Sequence, residues 1–229
     1  KEKKLDKSTF VKALNTLHSR GPDNTDYYFS NCCYLGHKRL SIIDLSSKGS
    51  QPMLDTSGRY IIVYNGEIYN FKQIKKDLAK HDIKWRTNTD TEVDLYSFIK
   101  WGEKCLNKFE GMFSFAIFDN KLKTIFAARD KMGVKPFFYS TGFNSFIFSS
   151  RPQAILKLNT NISKSYDQNS INIYLNAGYV PAPFSIYKEL KQIPAGCFLY
   201  WTGSDIKIKK WWNPNQISVD KFNKVKTLD

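Results

Sequence analysis

Three polar residues follow an apolar stretch in a pattern that could serve chemistry. Residues 61–70 read IIVYNGEIYN, so Asn65, Gly66 and Glu67 come directly after a short run typical of a buried strand. An amide side chain can donate to an oxyanion, a glycine lets a ligand approach the backbone, and a carboxylate can bind a cation. Asn-Gly between apolar runs is also the strongest short-range hairpin signal. Taken alone, the segment leaves a turn and a binding site open.

Three further polar clusters stand at the ends of predicted elements. They read SRGPD (19–23), GHKRLSIID (36–44) and NTDTE (88–92). Each has a plain structural interpretation, because element ends collect such residues in most proteins. Arg20 could form a surface ion pair, Arg39 could sit on an edge strand, and Asp90 could cap a helix. The clusters indicate a site only when they are taken together.

The elements that must position these clusters are short helices and antiparallel strands. Apolar periodicity and capping residues predict helices over 6–19, 70–81, 90–102 and 167–178, with Asn70 as a cap and with Gly102 and Gly178 as helix ends. Strand patterns cover 27–44, 59–64, 112–119, 124–130, 135–140 and 145–150, and a hairpin covers 197–212. The four strands from 112 to 150 read as one antiparallel meander. The mixture predicts a layered α+β domain.

Composition limits the classes of function. The 229 residues carry a net charge of +14, but the lysines are spread along the chain and interleaved with acids. This favours a solvated surface over a nucleic-acid-binding stripe. No apolar run is long enough for a membrane helix, and the first residues lack the apolar core of a signal peptide. Four cysteines without metal-ligand spacing predict free thiols, no metal site and a cytoplasmic setting.

Several motifs together resemble a known family. RGPD, RLSIID, NGEIYN, GMFSFAIFD, ARDKMGVKPFFY and PAG occur within residues 14–213. As a set, in this order and approximate spacing, they resemble the glutamine-hydrolysing domain of asparagine synthetases, a class II glutamine amidotransferase of the N-terminal-nucleophile hydrolases. The fold that this resemblance implies is a four-layer αββα sandwich with two antiparallel sheets.

The resemblance also implies roles for the polar clusters. In this family a cysteine thiolate attacks the side-chain amide of glutamine and ammonia is released. By resemblance, the Asn65 side chain and the Gly66 N–H form the oxyanion hole, and Arg20 orients the region of the nucleophile. Arg39 binds the α-carboxylate of glutamine with its planar guanidinium. The remaining substrate-binding residues are Leu40, Ile42 and Ile43 through their backbone, and Glu67 and Asp90 beside the α-ammonium.

The family's nucleophile is an N-terminal cysteine, and none of the four cysteines in the printed chain matches its position. We therefore expect residues 1–212 to be a glutaminase domain without its first strand, inactive as printed. Residues 213–229 are expected to be a linker toward a synthetase domain of the parent chain, which would use ATP and Mg²⁺ to amidate aspartate. The glutaminase domain itself needs no cofactor.

Two other functions stay open at this stage. One is a related amidotransferase with another acceptor, for example in surface-polysaccharide synthesis, because the acceptor is set outside this domain. The other is a pseudoenzyme that binds glutamine without hydrolysing it. The expected partners are glutamine and the synthetase domain, with neither nucleic acid nor membrane, and a homodimer stays open.

Overall fold

A computed structural model of the chain describes residues 5–142, 145–158 and 162–216. The helices in this part of the chain are α1 (Lys7–Asn15), α2 (Phe71–Asp77), α3 (Asp90–Trp101), α4 (Pro152–Lys157) and α5 (Gln168–Ala177). The strands are β1 (Asn24–Phe29), β2 (Tyr34–Arg39), β3 (Met53–Leu54), β4 (Tyr60–Ile68), β5 (Gly111–Asp119), β6 (Thr124–Arg129), β7 (Phe138–Gly142), β8 (Ser145–Ser149), β9 (Lys191–Gln192), β10 (Cys197–Trp201) and β11 (Ile206–Lys210).

One large antiparallel sheet divides the core in two. Its strand order is β11-β10-β6-β5-β4-β3. Because side chains alternate along a strand, each strand supplies both faces. On one face Ile62 and Phe115 belong to a cluster that includes Val93 and Leu95 of α3. On the other face Ile61 joins a second cluster with side chains from β2 and β7.

The second layer of strands consists of two separate pieces. Strands β1 and β2 form a hairpin, and β8-β7-β9 form a three-stranded sheet. Leu35 of the hairpin and Tyr139 of the three-stranded sheet lie in the same cluster against the large sheet. Beyond them lies α1, where a side chain added at Gly36 would meet Leu14 at 2.8 Å. The order of layers is helix, sheet, sheet, helix, which confirms the αββα sandwich.

Most predicted helix ends are confirmed. Asp6 caps α1 by accepting from the Thr9 N–H at 2.8 Å, but α1 ends at Asn15, before the predicted 19. Gly102 and Gly178 end α3 and α5 with positive φ angles of 56° and 76°, a conformation that glycine adopts without strain. The cap of α3 is Thr89, so Asp90 is the first residue of the helix and not its cap.

Asn70 occupies the predicted cap position of α2, but its side chain does not cap the helix. Its Nδ2 donates to the Lys108 carbonyl at 2.9 Å, and its Oδ1 accepts from the Glu110 N–H at 3.1 Å. Asn70 therefore ties the start of α2 to the segment before β5, a long-range contact that sequence spacing does not reveal.

The hairpin interpretation of Asn-Gly is wrong. Strand β4 continues past its predicted end at 64 and pairs with β5 without interruption, Asn65 opposite Ser114 and Gly66 opposite Phe113. The predicted single meander from 112 to 150 needs a second correction. Strands β5 and β6 belong to the six-stranded sheet, whereas β7 and β8 belong to the three-stranded sheet. The chain crosses between the two sheets after Arg129.

Other parts of the chain differ in detail from the prediction. The predicted strand region 27–44 is the β1–β2 hairpin followed by a loop from residue 40. The sequence pattern did not predict α4, β3 or β9. The hairpin over 197–212 is confirmed as β10 and β11. Of the predicted linker, residues 213–216 are described and 217–229 lie outside the described residues.

None of the helices in the described ranges has the length and apolarity that a membrane crossing requires. The four cysteines are all free thiols, with Cys32 exposed, Cys33 half-buried, and Cys105 and Cys197 buried.

Candidate active site

One cavity collects every residue that the sequence singled out. Its volume is about 1330 Å³, and it lies between the hairpin β1–β2, the strand β8 and the end of β4. The predicted site residues that line it are Arg20, Arg39, Leu40, Ile42, Ile43, Asn65, Gly66, Glu67 and Asp90. The four polar clusters, which are spread over 70 residues of sequence, therefore meet in space.

The walls of the cavity are two sheet edges. Residues of β2 and of β8 both line it. Within the described ranges, β2 pairs only with β1, and β8 pairs only with β7. Each therefore presents unpaired N–H and C=O groups, which make an edge a template for another strand. The apolar side chains Phe137, Phe146 and Phe148 line the groove between these edges.

The end of β4 turns two polar side chains toward the cavity. Val63 packs in the cluster between the sheets and Tyr64 in the cluster under α3. Alternation along the strand then places Asn65 and Glu67 on the side of Val63. Strand β4 thus delivers an amide and a carboxylate to the same side of the sheet, with Gly66 between them.

The reason for a glycine at position 66 differs from the prediction. We expected a side chain there to crowd the substrate. Gly66 has a φ of +155°, and a Cβ on it would lie 2.2 Å from the Met112 carbonyl oxygen. The strand β5 therefore excludes a side chain, whether or not a substrate is bound.

Asp90 is buried at the start of α3 and is held by three donors. Its Oδ2 accepts from the Tyr64 hydroxyl at 2.7 Å and from the Ile68 N–H at 3.0 Å. Its Oδ1 accepts from the Thr91 N–H at 3.0 Å. Burial raises the pKa of Asp90, and these hydrogen bonds oppose that rise. The contacts link α3 to both ends of the Asn65–Glu67 segment.

Arg39 lies at the end of β2 and is buried. Its Nη1 donates to the Ser46 carbonyl at 2.7 Å and its Nη2 donates to the Asp44 carbonyl. The guanidinium therefore holds the loop that follows β2. Leu40 and Ile42 on that loop are exposed at the cavity. A role for Arg39 at a substrate carboxylate stays a prediction. In that role Arg39 would use guanidinium N–H groups other than those that donate to Ser46 and Asp44.

Arg20 lines the cavity next to the end of β8. It is exposed, and its Nη1 is 3.5 Å from the Ser150 carbonyl just after β8. This contact joins the segment after α1 to the strand β8. The predicted role of Arg20 in orienting a nucleophile stays a prediction.

Sequence reasoning missed two residues that support the end of β4. The Nε2 of His37 is 3.0 Å from the Tyr64 carbonyl oxygen, so this nitrogen carries the proton. Burial lowers the pKa of His37 to about 4, which keeps the ring neutral. Gln51 accepts from the Tyr64 N–H at 2.6 Å. Alternation from Leu35 to Arg39 could have placed His37 on the inner face, whereas nothing in the sequence indicates Gln51.

The described residues contain no group of three or more His, Cys, Asp or Glu side chains arranged to hold a metal ion. The chemistry that the lining residues themselves can support is the recognition of a small zwitterion beside an amide donor.

Comparison with known proteins gives a consistent family. The model of the "Glutamine amidotransferase domain" family matches residues 1–212. The asparagine synthetase [glutamine-hydrolyzing] 3 of Bacillus subtilis is 36% identical over 211 residues, which cover 91% of this chain and 34% of that protein. The putative asparagine synthetase [glutamine-hydrolyzing] 2 of Methanocaldococcus jannaschii is 38% identical, over 92% of this chain and 44% of that protein. The chain thus spans less than half the length of these curated relatives.

Solved structures with this fold are more distant in sequence. The glutamine phosphoribosylpyrophosphate amidotransferase of B. subtilis, complexed with ADP and GMP, superposes with a TM-score of 0.57 at 16% identity, over 78% of this chain and 35% of that one. The allosteric regulatory enzyme of purine biosynthesis gives a TM-score of 0.56 at 17% identity. At these identities the likeness establishes the fold, which is the αββα sandwich.

Proposed function

This chain belongs to the glutamine amidotransferase domain family, and on that premise we propose that it is the glutaminase half of an asparagine synthetase. The reaction assigned to it is the hydrolysis of glutamine to glutamate and ammonia. The supporting observation is that the nine residues chosen from sequence line one cavity. The names of the synthetase relatives favour the same assignment.

The proposed chemistry uses a thiolate as nucleophile. The thiolate forms a C–S bond to the side-chain carbonyl carbon of glutamine, and the carbonyl oxygen becomes an oxyanion. The C–N bond then breaks, and the nitrogen leaves as ammonia with the proton taken from the thiol. Water hydrolyses the resulting thioester to glutamate and restores the thiol. The Asn65 amide and the Gly66 N–H donate to the oxyanion, each worth about 3 kcal/mol in such sites.

The remaining polar residues would hold the substrate. Arg39 would bind the α-carboxylate, while Glu67 and Asp90 would lie beside the α-ammonium. The loop backbone at Leu40, Ile42 and Ile43 would complete the pocket. Arg20, which lies next to the end of β8, would act through the segment that carries the nucleophile, which makes it a positioning residue.

The groove between β2 and β8 is the proposed place of the nucleophile. By resemblance the nucleophile is an N-terminal cysteine, and all four cysteines of the printed chain, including the exposed Cys32, lie inside the sequence and do not match it. In addition, Cys105 and Cys197 are buried away from the groove, and burial raises the pKa of Cys33 to about 12. A strand that pairs with both edges would instead bring a cysteine from a segment preceding Lys1 beside Asn65. Such a strand would join the hairpin and the three-stranded sheet into one sheet.

The whole-protein activity follows from the same proposal. A synthetase domain of the parent polypeptide would bind ATP and Mg²⁺, activate aspartate and receive the ammonia. The glutaminase domain itself would need no cofactor, and the setting would be the cytoplasm.

The experiment is an ammonia-release assay on the polypeptide that includes the N-terminal strand with its cysteine. We expect glutamine-dependent ammonia release that the same polypeptide with Cys→Ala at that position does not give. Equal release from both would overturn the catalytic assignment. Binding of glutamine without any release would identify the glutamine-binding pseudoenzyme instead. Dependence of product formation on aspartate, tested against other acceptors, separates the synthetase from a related amidotransferase.

A further inference from the structure

A long surface segment of the chain carries no charge. Residues 168–187 contain no Asp, Glu, Lys or Arg, in a chain in which 24% of the residues are charged. Four large apolar side chains of this segment are more than half exposed, Tyr174 at 52%, Leu175 at 74%, Tyr179 at 63% and Phe184 at 53%. We call these four side chains the uncharged face. Single exposed apolar residues are ordinary, but four such side chains, three of them aromatic, within one uncharged segment are typical of an interaction surface.

The helix that carries half of this face makes little use of its apolar residues in the fold. Helix α5 buries only Ser170. Helix α3, by contrast, buries every residue from 90 to 97. A helix with apolar residues normally buries them against the core, because this burial supplies most of its stability. The exposed side chains of α5 thus contribute little apolar burial to the described part of the domain.

The uncharged face is nevertheless held in place. Asp167 caps α5 by accepting from the Ser170 N–H at 3.0 Å. The Gln192 side chain of β9 donates to the Phe184 carbonyl at 2.7 Å, and the Gln192 N–H donates to the Pro183 carbonyl at 2.9 Å. An exposed segment that the domain fixes with its own hydrogen bonds is preorganised for a partner, which reduces the entropy cost of binding.

The described chain leaves the domain close to this anchor. The N–H groups of Trp211 and Trp212 donate to the Gly196 carbonyl at 2.9 and 3.2 Å. Gly196 follows Gln192 by four residues, so the end of the domain and the anchor of the uncharged face share one short segment. In the relatives described above, the matched region accounts for 34% and 44% of the protein. Polypeptide that continues past Gln216 would therefore follow the short segment that also anchors the uncharged face.

We propose that the uncharged face is the docking surface for the domain that follows on the same polypeptide. This inference rests on the proposed function, since it assumes a synthetase domain in the parent chain. The surface of the synthetase domain that contacts the uncharged face should be apolar, with few lysines or arginines. A cation placed against Tyr174 and Leu175 would lose its hydration without gaining an acidic partner. Continuity of the chain makes the contact intramolecular, so even a modest area would stay occupied.

The test compares amide hydrogen exchange in the printed chain and in the full-length polypeptide. We expect the amides of residues 171–187 to exchange at least about tenfold more slowly in the full-length polypeptide. Leu175→Lys in that polypeptide should return their exchange to the rate of the printed chain. Leu122→Lys is the matched control, because Leu122 is 61% exposed on the turn between β5 and β6 and should leave the exchange unchanged.

Each outcome decides the proposal. Equal exchange in both polypeptides, or an unchanged rate in the Leu175→Lys variant, overturns it. Protection that appears in the printed chain alone and grows with its concentration would assign the face to a second copy and also overturn it. Amide exchange is measured without turnover, so this proposal can be confirmed even if the ammonia assay fails. Equally, a failed exchange test would not contradict the glutaminase assignment.

Discussion

At the scale of single residues, Asn65 and Arg39 should affect different kinetic constants. The Asn65 amide would stabilise charge that exists only on the oxyanion, so Asn65→Ala in the polypeptide with its nucleophile strand should lower kcat by about 10²–10³-fold with little change in KM. Arg39 would hold the carboxylate equally before and during reaction, so Arg39→Lys should mainly raise KM, by about 10-fold or more. Steady-state kinetics on glutamine measure both, and an unchanged kcat for Asn65→Ala would remove the oxyanion assignment.

His37 should make the stability of the domain depend on pH. The folded state lowers its pKa from the ordinary 6.5 to about 4, so the unfolded chain binds the proton more readily between these values. The contribution of His37 to the free energy of unfolding is therefore complete above pH 6.5 and is lost as the pH falls toward 4. The loss should be about 3 kcal/mol. Urea unfolding at a series of pH values measures it.

The control for His37 is the same substitution at an exposed histidine. His37→Gln should remove this part of the pH dependence, and His18→Gln should leave it as it is, because His18 is exposed at the start of the short 3-10 turn that follows α1. The informative quantity is the difference in the free energy of unfolding between the wild type and His37→Gln. If this difference stays constant from pH 6.5 to 4, His37 is not a buried neutral imidazole.

How well single residues could be predicted depended on where their partners lie. The nine candidate site residues were chosen because several short motifs resembled one family, and all nine line one cavity. The structural reason for Gly66 was not predicted, because the atom that excludes its side chain belongs to Met112 on the neighbouring strand. The side-chain contacts of Asn70 were missed for the same reason, since its partners are about 40 residues away in sequence. Contacts of this kind are set by the tertiary fold.

At the scale of the element, Gly66 links strand pairing to the site. Gly66→Ala should destabilise the domain by at least about 2 kcal/mol more than Gly58→Ala, because the Cβ at position 66 would lie 2.2 Å from the Met112 carbonyl oxygen. Gly58 also has a positive φ, of +70°, but a Cβ there would meet nothing within 4 Å. Chemical denaturation of the two variants gives the comparison. Equal losses would show that the backbone angle alone selects glycine.

Helix α3 contains a carboxyl group that the fold does not use. Both oxygens of Asp94 are buried and lack a hydrogen-bond partner in the described part of the chain. Burial, with the nearby charge of Asp90, raises the pKa of Asp94 well above its ordinary value. Asp94 therefore makes the folded state less stable as the pH rises past about 4. Asp94→Leu should increase the free energy of unfolding at pH 7 by about 1–4 kcal/mol.

A second substitution separates charge from volume at this position. Asp94→Asn keeps the shape of the side chain but cannot titrate, so the free energy of unfolding of this variant should not gain the increase that Asp94 gives as the pH falls from 7 to 4. Its buried amide still lacks hydrogen-bond partners. We expect the order of stability at pH 7 to be Leu above Asn and Asn above Asp. Thermal unfolding at pH 4 and pH 7 measures this, and a less stable Asp94→Leu protein at pH 7 would mean that the carboxylate has a partner.

The existence of the elements was easier to predict than their membership of sheets. Amphipathic periodicity and caps located α1, α3 and α5, because these signals are local. The strands β5 to β8 were recognised as strands but assigned to one meander, since hydrophobic alternation does not say which sheet a strand joins. The crossover after Arg129 depends on a buried guanidinium that donates to the carbonyls of Gly133, Lys135 and Ile193. No local sequence pattern predicts that arrangement.

At the scale of the whole molecule, the groove between β2 and β8 should govern stability. A strand that fills it would bury apolar side chains and pair two edges, and burial of even one large apolar side chain contributes about 1.5–3 kcal/mol. The polypeptide extended by its N-terminal strand should therefore unfold with a free energy at least about 2 kcal/mol higher than the printed chain. Urea denaturation of both proteins measures this difference.

The control is an extension of equal length that cannot pair. Prolines at alternate positions of the added strand remove the N–H groups that pairing needs. This protein should have the stability of the printed chain, with fast amide exchange in β2 and β8. If the proline-containing extension stabilises as much as the native strand, the two edges are not the binding surface.

Cys32 gives the groove a chemical reporter of its own. It lines the cavity, and it is the one exposed thiol among the four cysteines of the chain. A maleimide dye should therefore attach at this position first, and its reaction rate would register whether the groove is open or filled, without any engineered label. The same exposure has a practical cost, because air oxidation can join two molecules through this thiol, so a covalent dimer on a non-reducing gel would be an artefact of handling.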